Sequence, residues 1–135
     1  MMPSPAPEAT PTPRSLLWTG RVLTALAAAF LLLDGVAKLF KPAPVVEATV
    51  GLGYPAGVIV PLGIVLTACV ALYLVPRTAP LGAVLLTGYL GGAVATHARV
   101  GAGAFPMLFP VALGVAVWAG LALRDRRARG LLAPH

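Results

Sequence analysis

Long apolar runs interrupted by short polar turns set the pattern of this chain. Four of them, over residues 17–40, 56–75, 79–98 and 105–123, reach or approach the roughly 20 residues that an α-helix needs to cross a bilayer. The pattern predicts an all-α integral membrane protein, a four-helix bundle in which lipid takes the place of water as solvent.

The connections sharpen this picture. Pro76-Arg77-Thr78 allows only a tight hairpin, so the second and third spans must be antiparallel neighbours. Residues 41–55 form the one link long enough for structure of its own. Val45, Val46, Thr49 and Val50 beside Glu47 predict a short amphipathic turn or two at the membrane interface, ended by Gly51, Gly53 and Pro55. Pro61 should bend the second span slightly, and Pro106 falls in the first turn of the fourth. The first span, with its basic start and Ala-x-Ala steps, has features of a secretory signal. Its apolar run continues through Leu31, Leu32 and Leu33, so we expect it to be retained. The domain reading is a disordered Pro-rich tail over 1–15, a membrane domain over 16–124 and a basic tail over 125–135.

Composition agrees with a membrane solvent. Apolar residues make up 59% of the chain, charged ones 10%, and the mean hydropathy is +0.90. That is too little charge to solvate a globular surface of this size. The net charge of +6 does not point to nucleic acid, because membrane proteins gather basic residues beside their cytoplasmic helix ends. With four spans, one side holds Arg14, Arg21, Arg77, Arg124, Arg126, Arg127 and Arg129, and the other holds Lys38, Lys41 and Arg99. This places both termini in the cytoplasm. The arginine-rich end reads either as a stop anchor or as a contact for anionic lipid. Cys69, the only cysteine, excludes an internal disulfide or C-x-x-C redox pair. Conventional metal sites, phosphate loops and nucleophile motifs have no counterpart here.

Polar residues converge at the other end. Asp34 and Lys38, four apart in the first span, share one helical face with the acid first. Glu47, Tyr54, His97 and Arg99 come to the same side. Tyr89 lies two turns from His97 on one face, about 12 Å deeper. These seven residues form a polar funnel with two readings. Either buried charges tie the helices together, or the funnel binds an amphiphile such as a quinone, with His97 and Asp34 handling protons and Tyr89 bonding a carbonyl. On the same span Gly88 and Gly92 form G-x-x-x-G and Gly91 pairs with Ala95. These small faces predict close helix packing, within the bundle or in a homo-oligomer.

The segments L-L-L-D-G-V-A-K-L-F, V-V-E-A-T-V-G-L-G-Y-P, the block from V-P-R-T through A-T-H-A-R-V-G, and the W-A-G-L-A-L-R-D ending resemble the DoxX-like family over about residues 22–125. The resemblance implies a four-helix bundle in a bacterial cytoplasmic membrane. It further implies an accessory membrane subunit, at most part of a quinone-linked oxidoreductase, with redox partner subunits and quinone as the candidate ligand. The alternative is a small-molecule or lipid binding or transport protein using the same cluster. The family's polar positions match Asp34, Lys38, Glu47, Tyr54, Tyr89, His97 and Arg99. The resemblance further implies a glutamate that relatives often carry in the second span, where this chain has Leu66, which cannot exchange a proton. No catalytic residue is assigned.

Overall fold

The computed structural model describes residues 13–125, so the greater part of both predicted tails lies outside the described residues. Within them the chain is helical, with no strand. α1 is Arg14–Phe40, α2 is Ala43–Gly51, α3 is Ile59–Leu74 after a 3₁₀ turn over Ala56–Val58, α4 is Ala79–Arg99 and α5 is Ala104–Arg124. α1, α4, α5 and the stretch Ala56–Leu74 are each long and apolar enough to cross a membrane. All four predicted spans are present, with ends shifted by a few residues.

The stops between helices have local causes. α1 ends at Lys41, whose left-handed backbone (φ 53°) turns its N–H onto the Ala37 carbonyl, and Pro42 cannot continue the helix. The α3–α4 hairpin is held by Thr78, whose hydroxyl donates to the Leu72 carbonyl at 2.7 Å. Pro61, Pro80 and Pro106 each fall in a first helical turn, where the missing N–H has no partner to lose.

Packing runs round a ring: α1 lies against α3 and α5, and α4 also lies against α3 and α5. α1/α4 and α3/α5 are therefore the diagonals. Leu31, Leu66, Val70, Tyr73, Leu86, Val117 and Leu121 fill the centre. Leu66 is fully buried in that core. Large apolar side chains such as Leu26, Leu33, Val84 and Val115 stay exposed, as a lipid-facing surface requires.

Glycine sets the closest helix approaches, at positions other than those expected. Gly20 of α1 meets Gly120 of α5, where an added Cβ at Gly120 would stand 2.6 Å from the Thr24 hydroxyl. Gly35 of α1 meets Gly63 of α3, where a Cβ at Gly63 would stand 2.7 Å from the Gly35 carbonyl. Gly82 of α4 lies against the backbone of Tyr73 in α3. By contrast nothing lies within 4 Å of a Cβ built on Gly88, Gly91 or Gly92. The small faces that the sequence assigned to helix packing, in the bundle or between copies, thus stand on open surface in the single chain. α4 is rotated so that Gly82 and Ala83 face its partners, which turns the later glycines onto open surfaces.

Candidate functional site

At the end of the bundle opposite the described termini, α1, α3 and α4 separate around a cavity of about 570 Å³. This is within the usual range for small-molecule sites. α2 roofs it with Pro44, Val45, Ala48 and Thr49, followed by Leu52 and Tyr54 from the loop. Leu62 contributes from α3. From α4 come Gly88, Tyr89, Gly92, Ala93, Thr96 and His97, all on one face of the helix. Because Gly88 and Gly92 have no side chains, they form open wall where larger residues would fill the space.

Asp34 and Lys38 form an ion pair across one turn of α1, with Nζ 2.7 Å from Oδ1. The Lys38 side chain is only 12% exposed, while the Asp34 side chain is 40% exposed. The carboxylate thus keeps access to the cavity while its partner is the more enclosed. Tyr54 and Thr96 join the roof to α4 at 2.7 Å. The Thr96 hydroxyl proton is committed to the Gly92 carbonyl, so the Tyr54 phenol is the donor. His97 Nδ1 lies 2.7 Å from the Ala93 carbonyl and must donate to it, which leaves Nε2 as the nitrogen able to accept in the neutral ring. Tyr89 is half-buried on the wall, and its hydroxyl has no protein hydrogen-bond partner among the described residues.

Five of the seven expected residues therefore meet: Asp34, Lys38, Tyr54, Tyr89 and His97 line one space. The other two stand apart. Glu47 is exposed and is not among the lining residues, because its position on α2 falls outside the Val45, Ala48, Thr49 face. Arg99 is exposed at the end of α4, with a guanidinium nitrogen 2.8 Å from where a Gly53 Cβ would be. It thus lies over the loop and not in the cavity. The sequence reading missed Thr49, Leu52 and Leu62 as wall residues; the amphipathic pattern of α2 was the signal for Thr49. It also missed Tyr73, buried at the other half of the bundle, where its hydroxyl donates to the Val117 carbonyl at 2.7 Å.

Four spanning helices, three of which border a cavity with polar and apolar walls, define a small multi-pass membrane protein with a ligand-sized chamber. The model of the DoxX-like family matches residues 22–120, most of the chain, and the protein belongs to that family. No curated protein and no solved structure matches it.

Proposed function

We propose that the protein holds a small amphiphile of the quinone class in this cavity, as an accessory membrane subunit of a quinone-linked redox complex. In this reading it resides in a bacterial cytoplasmic membrane with both termini inside. The observation that carries the proposal is the unpartnered Tyr89 hydroxyl on the wall of the cavity. A phenol left without a protein acceptor beside the Asp34–Lys38 pair is a donor held ready for an oxygen acceptor on a ligand. His97, its Nδ1 turned to the Ala93 carbonyl, presents Nε2 to a ligand. Pro44, Val45, Leu52 and Leu62 supply the apolar surface that a ring and its tail require. The packed layer of Leu31, Leu66 and Leu86 supports binding over passage, since it fills the middle of the bundle.

The test is chromatography of lipids extracted from gently purified protein, run beside Tyr89→Phe and His97→Gln. A near-stoichiometric quinone in the wild type, reduced about tenfold in a still-folded Tyr89→Phe, is the expected result. No quinone in the wild type, or equal retention in both variants, overturns the proposal. Uptake of a solute by liposomes containing the protein alone would favour the transport reading.

A further inference from the structure

A second polar cavity, of about 470 Å³, lies at the end of the bundle that carries the described termini. Its walls are Arg21 of α1, Pro76 and Arg77 of the α3–α4 hairpin, Arg124 at the end of α5, and Asp125. Three guanidinium groups from three separate elements thus face one space. With one carboxylate, Asp125, among the walls, three guanidiniums leave an excess of positive charge there.

Two of the three are positioned by aromatic rings. The Arg124 guanidinium stacks on the Tyr73 ring at 4.8 Å and donates through one terminal nitrogen to the Tyr73 carbonyl at 2.8 Å. Its Nε is buried with no acceptor. Arg21 lies 5.4 Å from the Trp18 ring. A guanidinium held flat against a ring loses less side-chain freedom on binding and keeps its edge for an acceptor. Trp18 is exposed, and a tryptophan in the first turns of a spanning helix marks headgroup depth. Arg21, three residues further along the helix, brings the cavity close to that depth.

We propose that Arg21, Arg77 and Arg124 form a site for the phosphate of an anionic phospholipid. Guanidinium groups match phosphate oxygens in geometry and charge, and three of them converging between helices favour a net-negative headgroup over a zwitterionic one. Bound there, one lipid bridges α1, the α3–α4 hairpin and α5.

The experiment uses the full chain in nanodiscs of phosphatidylcholine mixed with phosphatidylglycerol, with retained lipids counted by mass spectrometry of the protein released intact. Arg21 and Arg77 are exposed and make no hydrogen bond or ion pair among the described residues, so Arg21→Gln with Arg77→Gln keeps the fold while Arg124 continues to hold Tyr73. The wild type should retain one phosphatidylglycerol in preference to phosphatidylcholine. The double variant should lose that preference by about 10- to 30-fold. Arg14→Gln, at the same end but outside the cavity, should leave it unchanged. Equal retention of the two lipids by the wild type overturns the site. So does an unchanged preference in the double variant, or an equal loss in Arg14→Gln, which would reveal only diffuse surface charge. Displacement of the retained lipid by millimolar inorganic phosphate would assign the site to a free anion and overturn the lipid assignment.

Discussion

The Tyr73 hydroxyl donates across the diagonal of the bundle to the Val117 carbonyl at 2.7 Å, joining α3 to α5 at a second point besides the Arg124–Tyr73 contact. The Thr24 hydroxyl of α1 stands 3.4 Å from the same phenol oxygen. Since the phenol proton is committed to Val117, Thr24 is the donor in that pair. One fully buried tyrosine thereby ties three helices.

Tyr73→Phe keeps the ring and removes this tie. The expected cost is about 1–2 kcal/mol, seen as a lower midpoint in a thermal or denaturant melt of the detergent-solubilised protein. An unchanged midpoint would mean that the bond contributes nothing net.

The glycines divide into two groups with opposite expected behaviour. Gly82→Ala drives a methyl into the Tyr73 backbone, which cannot rotate away; it should cost about 3 kcal/mol or more. Gly91→Ala meets open space and should change the stability of the monomer by less than about 1 kcal/mol. Melting both variants side by side decides it. A change in oligomeric state of Gly91→Ala alone would show that this face packs against a second copy.

Asp34→Asn should cost about 2 kcal/mol, the range for a hydrogen bond to a charged group. Loss of a fully buried pair member would cost about 3–5 kcal/mol. The smaller figure follows from the 40% exposure of the Asp34 side chain, which makes the pair only partly buried. It is Lys38, 12% exposed, that is left without its partner. A Lys38→Met change added to Asp34→Asn should recover much of the loss, which a double-mutant melt can measure.

Reporters fused at the Pro76–Thr78 hairpin and at the Val100–Gly103 turn should fall on opposite sides of the membrane, with the hairpin in the cytoplasm. Both reporters on one side would refute the four-span topology.

The four spans were legible because a run of about 20 apolar residues has few other folds open to it. The gathering of Asp34, Lys38, Tyr54, Tyr89 and His97 was legible for a related reason: once the spans are counted, topology alone decides which ends share a side. Rotation about each helix axis was not. Gly82 and Gly88 are alike in composition and local setting, yet one meets a backbone and the other lines a cavity. That choice depends on how whole helix faces fit one another. Tyr73 was passed over for the same reason, since its position in an apolar run says nothing of which carbonyl it reaches. Arg99 and Glu47 were grouped with the funnel by their side of the membrane, but they leave it because helix faces, and not ends, decide what lines a cavity.

The roof formed by α2 has a kinetic consequence. It is a nine-residue helix between two proline-marked bends, and Tyr54 just beyond it is hydrogen-bonded to Thr96. A route past this roof asks a short segment to tilt and one phenol to let go, with no movement of the four spanning helices. A Tyr54→Phe chamber should exchange its contents faster while melting at nearly the same temperature.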